Sequence, residues 1–149
     1  ASLGHQLVAR GVAALDLAHA AVLDPASSIV VGEAARAALA SIADDGGPSP
    51  GSGPVQSELS GTLRLALGEA RDVALLSPDG LELVGEVAAA WYRLTLARRF
   101  YNEAVGQTRR LRGTWPVRLL RLAGRTPMPT TYEMDDSLPD HVGHGPLSP

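Results

Sequence analysis

One stretch limits what this chain can become. The thirty-four residues from Asp79 to Arg112 contain no proline, and their apolar positions recur with a single period. Leu83, Val87, Trp91, Leu94, Ala97, Tyr101, Ala104, Thr108 and Leu111 follow one another at steps of three and four, the spacing that lines one face of an α-helix. Ser77 and Pro78 supply a start signal, and Gly113 followed by Pro116 supplies a stop. At about 1.5 Å per residue such a helix spans roughly 50 Å, so it acts as a spine for shorter helices.

The side chains available for the core point the same way. Hydrophobic residues make up 45% of the 149 but aromatics only 4%, so Ala, Leu and Val must fill the interior. That favours closely approaching helices over a sandwich of β-branched and aromatic strands. The spacing predicts an all-α fold: a helical bundle of about four main helices plus a short C-terminal helix, without a sheet. Helices one, three and the spine are expected to form the core, with Trp91 and Leu94 at its middle.

The chain holds no lysine, so its 13 basic residues are all arginine. Nine of them lie between Arg93 and Arg125, where Glu103 is the only acid. Cysteine is absent, which excludes disulfides and thiolate chemistry. No uninterrupted apolar run approaches the roughly 20 residues of a membrane span. The chain opens at Ala1-Ser2-Leu3, already inside an apolar pattern, which suggests that a leader or anchor precedes it.

In chain order, a first helix is expected over Leu3–Leu23, with Leu7, Gly11, Ala14, Ala18, Ala21 and Val22 on its packing face. His5 and His19 are too far apart for a local metal pair. Asp24-Pro25 ends it and starts a second helix, with Asp24 as cap and Ile29, Gly32, Ala35, Leu39 and Ile42 on the stripe. The joint allows either an antiparallel hairpin or a kinked continuation. Residues 44–54 read as a flexible Gly/Pro linker inside a domain of residues 1–134. A third helix is expected from about Gln56 to Leu76, capped by Ser57, with Gly61 and Gly68 marking a close crossing. Beyond the spine, Trp115–Gly124 reads as a short helix. Residues 135–149 read as a disordered acidic, Pro/Gly-rich tail, where His141 and His144 lack a third metal ligand.

Nothing here carries an enzyme signature: there is no phosphate loop, no nucleophile elbow and no HExxH. Glu82 and Glu86 share a helix face without a histidine companion. The expectation is a non-enzymatic chain without cofactor, metal or small-molecule substrate. Arg98, Tyr101 and Asn102 stand out as a polar set beside the apolar stripe. They read as a structural motif that satisfies loop carbonyls and fixes register, or as a small anion pocket. The basic end, Arg109, Arg110, Arg112, Trp115, Arg118, Arg121 and Arg125, admits a solvated face, an anionic-lipid patch or a nucleic-acid surface. Nucleic acid is disfavoured, because stacking aromatics are not interleaved with the arginines. The competing account folds Leu119 and Leu122 into the core.

The run Ala97-Arg98-Arg99-Phe100-Tyr101-Asn102-Glu103-Ala104-Val105 resembles the A-R-x-x-Y-N-x-x-V motif of the LemA family. Trp115-Pro116, Leu119-Leu120 and Tyr132-Glu133 are similar, in order, to that family's Phe-Pro, aliphatic pair and closing Phe-Glu. Upstream, Leu59-Ser60-Gly61-Thr62-Leu63 is similar to its L-x-G-x-L patch. The family's second Tyr-Asn is replaced here by Thr108-Arg109, so the resemblance is to a divergent branch. It implies an elongated antiparallel helical bundle at the cell membrane, tethered by an N-terminal segment absent from this chain. It also implies an adaptor role toward a membrane protein partner. The alternative, read from the residues themselves, is a binding module for an anionic headgroup or small anion through Arg98 and Asn102 or the Arg109–Arg125 basic end.

Overall fold

The computed structural model describes residues 2–68, 72–73, 75–113 and 129–139. Among them are four helices and no strand: α1 (Leu3–His19), α2 (Pro25–Asp44), α3 (Ser52–Ala66) and α4 (Pro78–Gly113). The spine expected over Asp79–Arg112 is α4, within a residue at each end.

α1 starts where the Ser2 hydroxyl accepts from the His5 N–H. It stops at His19, short of the expected Leu23, because the chain must turn back sharply; Ala21 there takes a left-handed φ of 53°. The joint is a hairpin. Asp24 Oδ1 accepts from the N–H groups of Ala26 and Ser27, both at 3.0 Å, and these bonds lower the Asp24 carboxyl below its ordinary value. α1 and α2 then run antiparallel, with Gly4 beside Pro48, Gly11 beside Leu39 and Gly32 beside Ala18. A Cβ on Gly11 would lie 2.8 Å from Leu39 Cδ2 and 2.9 Å from its Cγ, so glycine leaves the room that the Leu39 side chain fills.

α1 is the central helix. It packs on α2 and on α4, antiparallel to both, and α3 packs on α2. The larger core cluster gathers residues from all four helices, among them Ala14, Leu17, Val31, Ala35, Leu63 and Trp91; a smaller one joins Leu3, Leu7, Ile42, Leu94 and Tyr132. Trp91 and Leu94 are wholly buried, and α2 contributes to both clusters as much as the helices expected to dominate.

Several expectations are corrected. Ile29 is 67% exposed, because Val31, Ala35, Ala38 and Ile42 form the true stripe of α2 and a two-residue offset points away from it. Gly61 marks no close crossing, since a Cβ there would meet only Arg64 Nη2, at 4.0 Å. The linker ends early: Ser52 and Gly53 are buried at the start of α3, and Ser57 is an interior residue rather than a cap. α3 ends at Ala66, capped by Leu67, well before Leu76. Past Tyr101 the stripe of α4 changes: Ala104 and Leu111 are exposed and Val105 is buried. There α4 has run beyond the start of α1, and its neighbour becomes the extended segment 129–139. The short helix expected over Trp115–Gly124 lies outside the described residues.

Apolar length also needs correction. α2 is long and apolar enough to cross a membrane by length and composition. Its alanines and serines interrupt any purely aliphatic run, yet apart from Asp44 at its end its only charges are Glu33 and Arg36, paired at 2.6 Å.

Candidate functional site

Residues 129–139 form an extended strap lying between α3 and α4, and the polar set Arg98, Tyr101 and Asn102, together with Arg109, is spent on it. An extended chain leaves its N–H and C=O groups unpaired, so a strap seated against helices must take partners from their side chains. Asn102 does this for Tyr132: its Nδ2 donates to the Tyr132 carbonyl at 3.1 Å, and its Oδ1 accepts from the Tyr132 N–H at 2.8 Å. Tyr101 Oη donates to the Thr130 carbonyl at 3.3 Å, and Arg109 Nε to the Pro129 carbonyl at 2.8 Å. Trp91 Nε1 donates to the Asp136 carbonyl at 3.0 Å.

Side chains add direction. Arg98 grips the Asp136 carboxylate through Nε and Nη2, both at 2.8 Å, in a fork that is largely buried. From the other wall, Arg64 donates to Asp135 at 2.5 Å and to the Ser137 carbonyl at 2.9 Å. Ser57 Oγ accepts from the Asp135 N–H at 2.9 Å, and Ser52 Oγ lies 3.0 Å from the Tyr132 hydroxyl. The Glu133 carbonyl lies where a Cβ on Gly53 would have to sit, so glycine is required at that contact. Arg64 and Ser137 together hold the Asp135 carboxyl down to about 2. Burial pushes the Tyr132 phenol up, partly offset by its bond to Ser52.

The disordered tail expected from residue 135 therefore does not begin there: Asp135, Asp136 and Ser137 are pinned, Leu138 packs against the core and Pro139 is buried. His141 and His144 lie outside the described residues.

Beneath the strap is a group the sequence reading passed over. Arg10 is wholly buried. It donates to Ser60 Oγ at 2.7 Å and, from Nη2, to the carbonyl and Oε1 of Gln56 at 3.0 and 2.8 Å. Gln56 passes the link on, donating to the Ala38 carbonyl at 2.9 Å, so one polar chain ties α1, α3 and α2. The guanidinium lies over the Trp91 ring, 5.5 Å from its centroid. Burial pushes it down to about 10, partly offset by Tyr132 and Asp136 on the strap. Two buried atoms one turn apart, Arg10 Nε and Gln6 Oε1, lack a hydrogen-bond partner among the described residues. A signal for Arg10 existed: Leu3, Leu7, Arg10, Ala14 and Leu17 step by four and three, which places an arginine on the apolar stripe.

Of the expected basic end, Arg109 serves the strap, Arg110 is exposed and Arg112 is half-buried; Trp115, Arg118, Arg121 and Arg125 lie outside the described residues. Glu82, Glu86 and His5 are exposed, and His19 Nε2 lies 3.4 Å from Arg36. Among the described residues no cluster of His, Asp and Glu could hold a metal ion. An open hollow of about 510 Å³ lies between the α1–α2 turn and the start of α4, lined mainly by Val22, Leu75, Leu76 and Leu83. It is remote from the arginine-lined seam. Compared with known family models, characterised proteins and solved structures, the chain matches none.

Proposed function

We propose that this chain is the helical domain of a divergent LemA-like protein, tethered to the cell membrane. In this reading it is a non-enzymatic interaction or scaffold unit for a membrane protein complex. The observation that carries the reading is the outer face of α4. Leu81, Tyr92 and Phe100 stand 44%, 58% and 67% exposed there, on the side opposite the core. Phe100 is the only phenylalanine in the chain, and a folded domain with so few aromatics would ordinarily bury it. Exposed aromatics flanked by arginines, here Arg93 and Arg99, have the composition of a protein-binding patch.

The resemblance gains support from a contact: Asn102 of the A-R-x-x-Y-N run holds the backbone of Tyr132, thirty residues on. The resemblance puts the tether N-terminal to α1. α2 meets the length for a span, but Val31, Gly32, Ala35, Ala38 and Ile42 are used in the bundle.

An anionic-headgroup module is the second reading. It is weaker at Arg98 and Asn102, whose polar groups already hold the strap. It rests instead on Arg110 and Leu111, exposed together near the end of α4.

The test is fractionation of the full-length protein in cells, with in-cell crosslinking of wild type and Tyr92→Glu/Phe100→Glu. Membrane recovery that survives high salt, with a discrete crosslinked partner lost in the variant, is expected. A full-length protein recovered as soluble, or crosslinks unchanged in the variant, would overturn the reading. Sedimentation with anionic and neutral vesicles at low salt distinguishes the headgroup alternative.

A further inference from the structure

We infer that the seam between α3 and α4 is a peptide-binding groove that the strap occupies in cis. Its partner in trans is an extended acidic segment of another protein, carrying a tyrosine followed three and four residues later by aspartates. The inference rests on the reading of the chain as an interaction domain, and it names the chemistry of a partner.

Three features of the seam carry it. First, recognition is directed at backbone. Asn102, Trp91, Arg109, Tyr101, Ser57 and Arg64 each bond to a main-chain N–H or C=O of the strap, groups that any extended segment presents. This is the logic of grooves that read extended peptides, in which main-chain bonds give affinity and a few side chains give selectivity.

Second, the selective contacts form a short code. The Tyr132 hydroxyl meets Ser52, Asp135 meets Arg64 and Asp136 meets the Arg98 fork. Third, charge is complementary across the seam. The helices supply Arg64, Arg98 and Arg109, with buried Arg10 behind them, and the strap supplies Glu133, Asp135 and Asp136. The four helices are meanwhile tied to one another independently, through α1 against α2 and α4 and through the Arg10–Gln56–Ala38 chain.

The experiment uses the full 149-residue chain and a fluorescein-labelled peptide of residues 129–139, read by anisotropy. A resident competitor lowers apparent affinity by the fraction of time the groove is vacant. The strap variant Tyr132→Ala/Asp136→Ala leaves the groove walls intact. It is expected to bind the peptide at least ten-fold more tightly than wild type does. A peptide with both aspartates changed to asparagine should bind at least ten-fold more weakly, and added salt should weaken the native peptide.

No binding by a folded strap variant, or equal binding of the peptide with both aspartates changed to asparagine, would overturn the inference. If the variant does not fold, hydrogen exchange on wild type decides. Strap amides at Tyr132 and Asp135 exchanging at least ten-fold faster than those of α1 would uphold a vacatable groove; exchange in step with α1 would overturn it. Concentration-dependent dimers held by exchanged straps would also overturn it, by making the occupant a second copy. Peptide capture by a chain whose full-length form fractionates as soluble would uphold the groove while overturning the tether.

Discussion

The α1–α2 hairpin and the strap-filled seam are both well packed, and they are built from opposite materials. The hairpin joins helices neighbouring in sequence through Ala14, Ala18, Gly11, Gly32, Ala35 and Leu39, and Gly11 leaves the room that the Leu39 side chain fills. The seam joins residues twenty to eighty positions apart through hydrogen bonds and ion pairs. The difference follows from the backbone. Two helices satisfy their own N–H and C=O groups and can meet through alkyl surface alone. An extended strap cannot, so its neighbours must be amides, hydroxyls, an indole and guanidiniums. The hairpin should therefore respond to changes in volume and the seam to changes in hydrogen-bonding capacity.

Trp91 belongs to both regions, since its ring fills the core and its Nε1 holds the Asp136 carbonyl. Trp91→Ala should cost about 3–5 kcal/mol in urea unfolding, the largest single loss in the chain. Loss below about 1 kcal/mol would mean that the two regions are not joined there. Arg10 separates volume from polarity more finely. Arg10→Ala should cost roughly 2–5 kcal/mol, because a cavity opens and Gln56 and Ser60 lose their partner. Arg10→Met keeps the volume and removes a buried charge that touches no carboxylate. Gln56 still loses its donor, so the cost should be about 1–3 kcal/mol, below that of Ala because no cavity opens. Equal losses for Ala and Met would show that the guanidinium itself holds the three helices.

The same contrast explains what could be read from the sequence. The Asp24 cap and the extent of α4 are legible because local periodicity and capping residues encode them, whereas the joint between α1 and α2 is legible only as a break, its hairpin being decided by the left-handed turn at Ala21. The set Arg98, Tyr101 and Asn102 was legible as a polar motif, but its partner was not. Nothing local distinguishes Asp136 in an acidic, proline-bounded tail from a solvated acid, and only the fold brings it to Arg98. Ser52 and Gly53 were read as linker for the same reason: their burial depends on Tyr132 and Glu133, eighty residues on. Arg10 stands on the apolar stripe of α1, and its burial is not legible locally because its partners, Gln56 and Ser60, lie some fifty residues on.

Asn102 tests the seam alone. Asn102→Ala leaves the Tyr132 N–H and C=O without their side-chain partner and should lower stability by about 1–3 kcal/mol, measured by urea unfolding. Asn102→Asp keeps the shape and the acceptor but removes the donor to the Tyr132 carbonyl, so it should not restore wild-type stability. Hydrogen exchange at Tyr132 should rise in Asn102→Ala and less in Asn102→Asp, which keeps the acceptor for that N–H, while the amides of α1 near Gly11 keep their protection in both. Loss of protection in both regions together would mean that strap and hairpin open as one unit.

The smallest expected effect is the one set by pH, and it falls on one side of the seam. Asp135 is held at about 2 in the folded chain against an ordinary 3.8, first by its bond to Arg64 and then by Ser137. A carboxyl depressed in this way contributes stability that is fully present above about 3.8 and is lost as pH falls through 2. The Asp135 side chain is 46% exposed, and solvent screens a pair of this kind, so the contribution should be under about 1 kcal/mol. Titrating from pH 5 to pH 2 should accelerate exchange at the Asp135 N–H, relative to the intrinsic acid dependence of amide exchange, more than at α1 amides near Gly11. Asp135→Asn should remove most of that pH-dependent difference. Added salt at pH 5 should reproduce part of the loosening, because screening weakens the same pair. An Asp135→Asn profile identical to wild type between pH 5 and pH 2 would remove the Arg64–Asp135 pair, on the wall formed by α3, as the source of any acid sensitivity in the seam.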